Sequence, residues 1–161
     1  INMLTGRKKL AHTSNTPGKT QLINYFLINR EWYLVDLPGY GYARISKRKR
    51  EEWRKMVQDY LLLREQMQCA FALIDSNVPP QAIDLEFINW LGEMRIPFAW
   101  VFTKNDRKKQ DQEENIAAFR EAMLEYWEEL PPQFVTSAVT GQEGEALLAF
   151  IEEVNQRLEE Q

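Results

Sequence analysis

Three short polar clusters in the sequence each follow a predicted apolar strand. They are Asp36-Leu37-Pro38-Gly39, Thr103-Lys104-Asn105-Asp106 and Thr136-Ser137-Ala138. Carboxylates, hydroxyls, a lysine and a glycine N–H without side-chain obstruction are groups that hold polar or anionic ligands. Each cluster alone predicts only a turn. Their order and their common position at strand ends predict one ligand site.

The clusters require a sheet whose strands end at the same edge. Two strands joined by a short turn form an antiparallel hairpin, and strand and helix alternate from Trp32 onward. Apolar strands without alternation are typical of a parallel sheet covered by helices, which binds ligands at the carboxyl ends of its strands. We therefore predict a three-layer α/β fold, a mostly parallel sheet with one antiparallel strand. The predicted strands are residues 21–28, 32–36, 69–74, 97–102 and 133–136, and the predicted helices begin at Ser46 or span 81–93, 112–129 and 144–159.

Composition limits the class of protein. The chain has 161 residues, of which 44% are hydrophobic and 27% are charged, so we expect a single folded domain over residues 1–161. No apolar run approaches the ~18–20 residues of a membrane helix. The single Cys69 cannot form an internal disulfide, which indicates a reducing compartment, and we expect a cytoplasmic monomer without a membrane partner.

Charge is distributed unevenly along the chain. Residues 1–55 carry 12 basic and 4 acidic side chains, a net charge of +8, whereas residues 56–161 carry 8 basic and 20 acidic ones, a net charge of −12. Seven cations lie between Arg44 and Lys55, close to the start of a predicted helix. This basic patch is either a solvated helix face or a surface that contacts RNA. The candidates for RNA contact are Arg44, Lys47, Arg48, Lys49 and Arg50.

The order Asp-x-x-Gly, Thr-Lys-x-Asp and Ser-Ala is the motif order of the P-loop GTPases. The longer strings Thr16-Pro17-Gly18-Lys19-Thr20-Gln21-Leu22-Ile23-Asn24 and Leu34-Val35-Asp36-Leu37-Pro38-Gly39-Tyr40-Gly41-Tyr42-Ala43 closely resemble the EngB family, also called YihA or YsxC. These are bacterial GTPases of ribosome assembly. The resemblance covers nearly the whole chain and is most specific between Thr13 and Ala43.

The resemblance implies a role for each matching residue. Asp106 would accept both N–H donors of guanine, Lys104 would lie along the base, and the Ala138 N–H would meet the guanine oxygen. Asp36 would hold Mg²⁺ through water and Thr20 would ligate it directly, while the Gly39 N–H would approach the γ-phosphate. The implied GTP-binding set is Gly18, Lys19, Thr20, Gln21, Leu22, Asp36, Leu37, Pro38, Gly39, Thr103, Lys104, Asn105, Asp106, Thr136, Ser137 and Ala138.

The phosphate-binding loop of the family is not found in this sequence. Gly18-Lys19-Thr20 resembles the end of G-x-x-x-x-G-K-[ST], but the motif needs Gly at the position of Thr13, and no strand precedes it. The switch segment of the family suits these residues better. We expect a first strand and a Gly-rich loop, together roughly 15–20 residues, to be missing before Ile1, and residues 1–161 alone to bind GTP poorly.

Tyr40 stands where many GTPases have the Gln that orients the attacking water. The EngB-like group shares this difference, so the water-activating group is open and slow hydrolysis is expected. A potassium ion or the ribosome is a candidate for the missing element.

The leading hypothesis is an Mg²⁺-dependent GTPase switch acting in assembly of the large ribosomal subunit, with the precursor particle and its rRNA as partners. The family is also linked to cell division, which ribosome shortage could explain indirectly. The alternatives are a non-enzymatic α/β RNA-binding module and an ATP-using P-loop enzyme, against which Thr103–Asp106 argues. Asp75 also follows a strand, but the family has no nucleotide motif there, so it is interpreted as structural.

Overall fold

A computed structural model describes residues 1–12, 22–39, 46–106 and 111–159. The chain divides into two compact units, Ile1–Glu65 and Gln66–Gln161. The elements in chain order are α1 Asn2–Thr5, β1 Asn24–Ile28, β2 Trp32–Asp36, α2 Lys47–Leu63, β3 Ala70–Asp75, α3 Ala82–Glu93, β4 Phe98–Thr103, α4 Gln112–Leu124, β5 Gln133–Val135 and α5 Gly144–Glu159.

The first unit contains the predicted antiparallel hairpin. β1 pairs with β2 so that Asn24 lies opposite Asp36 and Ile28 opposite Trp32. Asn29 and Arg30 adopt left-handed backbone angles, with φ of 51° and 65°, as in the turns that match the right-handed twist of a hairpin. The hairpin therefore fixes where the polar segment after β2 begins.

Helix α2 begins where the sequence predicted a helix. The Ser46 hydroxyl accepts a hydrogen bond from the Lys49 N–H at 3.4 Å, which satisfies one free donor of the first turn. Trp53, Val57 and Leu61 are buried at intervals of four residues, so the apolar stripe forms as expected.

The second unit is built on three parallel strands in the order β3-β4-β5. β4 is the central strand, and its residues Ala99 to Phe102 are at most 3% exposed. The Trp100 and Phe102 rings meet Phe119 of α4 edge to face, with centroids 5.4 Å and 5.7 Å apart. This packing confirms for β4 the prediction that apolar strands without alternation are buried and parallel. β3 is parallel as predicted, but its Leu73 is 63% exposed, so that strand is not buried on both faces. Hydrogen bonding divides the five described strands between this sheet and the hairpin.

Helix α4 ends at Leu124, five residues before the predicted end at residue 129. The indole N–H of Trp127 donates to Asn89 Oδ1 at 2.6 Å, and its ring packs against Phe98. A Cβ on Gly92 would meet that ring at 2.6 Å, so the glycine makes room for it. Packing of Trp127 outside the helix thus replaces the predicted last turns. None of the helices in the described part of the chain is long and apolar enough to cross a bilayer.

Candidate functional site

Two of the three predicted polar clusters meet at the carboxyl ends of β4 and β5. The Asn105 N–H donates to the Thr136 carbonyl at 3.2 Å, and the Ser137 hydroxyl donates to Asp106 Oδ1 at 2.6 Å. Neighbouring parallel strands bring these loops to the same edge because their ends have the same direction. The sequence predicted this meeting, and the structure places Asp106 and Ser137 in direct contact.

Ser137 is fully buried and uses its hydroxyl in both directions. Its oxygen accepts the N–H groups of Val139 and Thr140 at 3.2 Å and 3.1 Å. Its proton points to Asp106. The adjoining Thr136 is anchored to the Phe102 carbonyl by its N–H at 2.7 Å and its hydroxyl at 3.0 Å. Ser137 therefore fixes one oxygen of the Asp106 carboxylate. The next residue in the chain, Ala138, is exposed.

Lys104 has an unusual backbone conformation, and both its ammonium and its carbonyl have partners. Its φ is 62°, in the left-handed region that residues other than Gly and Asn rarely adopt. Its ammonium lies 2.6 Å from Asp75 Oδ2. Its carbonyl accepts the side-chain amides of Asn77 at 3.2 Å and Gln112 at 3.1 Å.

Asp75, Asn77 and Gln112 join the site although the sequence did not single out the last two and gave Asp75 a structural role. Asp75 lies opposite Thr103 in the register of β3 and β4, which brings its side chain to the loop that begins there. Its Oδ1 accepts the N–H and the side-chain amide of Asn77 at 3.0 Å and 2.9 Å. The position of Asp75 at the end of a strand was the signal available in the sequence.

The ionisation of Asp75 follows from these contacts. Partial burial acts to raise the pKa of the Asp75 carboxyl, but hydrogen bonds from Lys104 and Asn77 outweigh it and hold the pKa below its usual value. The carboxylate therefore stays charged beside the Lys104 ammonium at neutral pH.

The first polar cluster lies in the first unit. Asp36 ends β2 and is half-buried, and Pro38 is buried between the half-buried Leu37 and Gly39. Burial raises the pKa of the Asp36 carboxyl, although the Ile1 ammonium and a hydrogen bond from the Asn24 side chain both act to lower it. Leu22 is 73% exposed. The other predicted residues of the switch and of the water-positioning position, Gly18, Lys19, Thr20, Gln21 and Tyr40, lie outside the described residues.

The described part of the basic patch opens helix α2. Lys47, Arg48 and Lys49 are exposed, and Arg48 pairs with Glu52 at 2.9 Å. Arg50 is half-buried and its Nε is buried without a hydrogen-bond partner in the described structure, so it is less accessible than its neighbours. Arg44 lies outside the described residues.

Comparison with known proteins places the chain in a family. The model of a family described as "50S ribosome-binding GTPase" matches residues 1–104. The "Probable GTP-binding protein EngB" of Porphyromonas gingivalis is 54% identical over 159 residues, which are 98% of this chain and 79% of that protein. The protein of the same description from Bacteroides fragilis is 55% identical over the same shares.

Solved structures support the fold. The crystal structure of a probable GTP-binding protein EngB has a TM-score of 0.76 and 22% identity, covering 97% of this chain and 90% of that one. Era in complex with MgGDPNP and nucleotides 1506–1542 of 16S ribosomal RNA has a TM-score of 0.69 and 20% identity, covering 95% of this chain and 50% of Era. The predicted α/β GTPase fold and enzyme class are confirmed. The chain belongs to the 50S ribosome-binding GTPases and, within them, to the EngB GTP-binding proteins.

Proposed function

We propose that the full-length protein binds GTP at the carboxyl ends of its strands, hydrolyses it to GDP and phosphate, and uses the bound nucleotide as a switch in assembly of the large ribosomal subunit. The observation that carries the nucleotide part is the 2.6 Å hydrogen bond from Ser137 to Asp106. It unites two motifs that are 31 residues apart in the chain.

The base would be selected by the Asp106 carboxylate. Guanine presents two N–H donors on one edge, and the lone pairs that Ser137 leaves free on the carboxylate can accept both. Adenine has no such pair of donors, and a polar group left unpaired on binding costs about 1–3 kcal/mol. The aliphatic stem of Lys104 would cover the face of the base. The Ala138 N–H would donate to the guanine oxygen, and Thr103, Asn105 and Thr136 hold these loops.

The phosphates would lie with Asp36, the Gly39 N–H and the segment Gly18–Leu22, with Thr20 as the direct Mg²⁺ ligand. Among the described residues no three His, Cys, Asp or Glu side chains converge on a possible metal position. A single carboxylate fits Mg²⁺, which keeps several waters and takes phosphate oxygens as further ligands. Bound Mg²⁺ would neutralise charge that develops on the phosphates. A hydrolytic water has no assigned base, because Tyr40 cannot orient it as Gln does, and K⁺ is a candidate substitute.

The ribosomal part of the proposal is supported by charge and by family. Lys47, Arg48 and Lys49 expose three cations at the start of α2, and Arg44 and Arg50 extend the patch in the sequence. Lysine and arginine clusters of this kind bind nucleic-acid phosphates. The description of the matching family includes binding to the 50S ribosome, and the similarly folded Era is solved with ribosomal RNA. GTP would order the switch segments and hydrolysis would release them, changing affinity for the particle. A requirement in cell division would follow from ribosome shortage.

The base-reading role is tested by Asp106→Asn in the full-length protein. The amide keeps an oxygen that can accept the Ser137 proton, so the change isolates the edge that faces the base. We expect GDP affinity to fall at least about tenfold, equivalent to about 1.4 kcal/mol, because the new NH₂ group cannot accept the N–H donors of guanine. Xanthosine diphosphate, which carries an oxygen at that edge, should gain affinity. Isothermal titration calorimetry with both nucleotides measures the exchange.

The matched control is Asp111→Asn, which makes the same chemical change five residues further along. Asp111 is exposed and its side chain makes no capping hydrogen bond with α4. It should leave both affinities unchanged. Equal GDP affinity in Asp106→Asn and the wild type would remove the base-reading role from Asp106.

A further inference from the structure

We propose that Asp75 is a positioning residue for nucleotide binding, which holds the Lys104 side chain in the orientation that covers the base. This inference rests on the proposed function, because it assigns the base-covering role to Lys104. It adds β3 to the base-binding part of the site, which the motifs place at the ends of β4 and β5.

The first observation is that Lys104 is held at both ends. Its ammonium contacts Asp75 Oδ2 at 2.6 Å, and its carbonyl accepts hydrogen bonds from Asn77 and Gln112. A lysine with four carbons between backbone and charge has high conformational entropy when its end is free. Fixing the charge and the carbonyl restricts the path of the stem between them.

The second observation is the backbone of Lys104. A φ of 62° in a residue other than Gly costs roughly 1–2 kcal/mol. Such conformations persist only where the surroundings impose them, and they concentrate at binding sites. Here Asn77 and Gln112 supply the constraint through the Lys104 carbonyl, and Gln112 Nε2 also donates to Asn77 Oδ1 at 2.8 Å.

The third observation is that Asp75 is itself fixed. Asn77 donates twice to its Oδ1, which leaves Oδ2 for the lysine. The Asp75 side chain is 30% exposed and that of Lys104 is 48% exposed. A pair with this exposure contributes little to stability. We therefore interpret the ion pair as orienting the Lys104 side chain rather than as a large contribution to the free energy of folding.

The experiment compares Asp75→Asn, Lys104→Met and the double variant in the full-length protein. Asparagine removes the charge of Asp75 with almost no change in size, and methionine keeps an unbranched apolar stem while removing the ammonium. Dissociation constants for GDP and for inosine diphosphate are measured by calorimetry, and folding is followed by thermal unfolding. Asp59→Asn is the matched control, because Asp59 is exposed on α2.

We expect Asp75→Asn to raise the GDP dissociation constant about three- to tenfold, the range of one lost charge-assisted contact. The loss should be the same for inosine diphosphate, which lacks the amino group that Asp106 reads, since Lys104 covers the face of the base. In the Lys104→Met background, Asp75→Asn should cause no further loss. Asp59→Asn should match the wild type.

Several results would overturn the inference. They are an unchanged GDP dissociation constant in Asp75→Asn, or an equal loss with and without the Lys104 ammonium. If Asp75→Asn does not fold, Asp75→Glu replaces it, because it keeps the carboxylate and shifts it by one methylene. Its smaller loss must likewise vanish in the Lys104→Met background. Absence of GDP binding by the wild type would overturn the proposed function together with this inference, whereas wild-type binding with an insensitive Asp75→Asn would overturn only the inference.

Discussion

Asp36 and Asp75 each end a strand, but their surroundings treat the negative charge in opposite ways. At Asp36 burial raises the pKa of the carboxyl and outweighs the Ile1 ammonium and the Asn24 side chain, which both act to lower it. At Asp75 the Lys104 ammonium and Asn77 lower the pKa despite burial. The comparison separates two uses of one residue type. The Asp75 carboxylate is bonded directly to a cation, which we propose it positions, whereas burial dominates at Asp36, to which we assign the Mg²⁺ that arrives with the nucleotide.

The largest expected effect is on GTP hydrolysis and follows from a substitution at Asp36. In the full-length protein, Asp36→Asn should slow GTP hydrolysis at least about a hundredfold at moderate Mg²⁺, because the loss of metal-assisted charge stabilisation is worth several kcal/mol. Single-turnover hydrolysis across a Mg²⁺ titration measures it. Asp75→Asn is the paired control and should alter nucleotide affinity while leaving hydrolysis of saturated protein near the wild-type rate. An Asp36→Asn protein with the Mg²⁺ dependence of the wild type would contradict the assignment.

Ser137→Ala tests the hydrogen bond that fixes one oxygen of the Asp106 carboxylate. The change leaves one Asp106 oxygen and two backbone N–H groups without their partner in a partly buried position. We expect the free energy of unfolding to fall by about 1–3 kcal/mol and GDP affinity to fall with it. Urea unfolding and calorimetry measure the two effects.

Ser46→Ala is the control for the loss of a serine hydroxyl. Ser46 caps α2 in an exposed position at 3.4 Å, so its loss should cost about 0.5–1 kcal/mol without changing GDP affinity. Wild-type GDP affinity in Ser137→Ala would show that Asp106 reads the base without this support.

The basic patch differs from both aspartates, because the charges of Lys47, Arg48 and Lys49 are exposed. Reversal of Lys47, Arg48 and Lys49 to Glu should weaken association with large ribosomal subunits about tenfold, and each lost phosphate contact should reduce the salt slope by about 0.7–0.9. Sedimentation with subunits across a salt series measures both. Arg95→Glu with Arg157→Glu places reversed charges in the second unit and should have little effect. Unchanged affinity and salt slope in the triple variant would leave the patch as a solvated surface.

The sequence predicted what depends on local pattern. The run of apolar residues from Phe98 to Phe102 predicted a buried parallel strand. The order of the motifs at strand ends predicted that the clusters of Asp106 and Ser137 lie at the same edge of the sheet. The contact of Asp75 with Lys104 depends on the register of β3 against β4, which no periodicity in either strand encodes. The early end of α4 likewise depends on Trp127 finding Asn89 and the space over Gly92. Residues whose role comes from contacts across strands or helices therefore stay hidden until the fold is known.

The smallest expected effect is the acid dependence of the Asp75–Lys104 pair. A carboxyl with a lowered folded pKa contributes stability that is present above its unfolded pKa and is lost as pH falls through the folded value. For Asp75 the ordinary pKa is 3.8, so the contribution should be constant at neutral pH and disappear below that value. Because Lys104 is half-exposed, its size should stay below about 1 kcal/mol. Urea unfolding of the wild type and Asp75→Asn between about pH 3 and pH 7 measures the difference, which should shrink toward low pH. A difference that grows on acidification would contradict a lowered pKa and with it the charged pair from which the positioning role of Asp75 is argued.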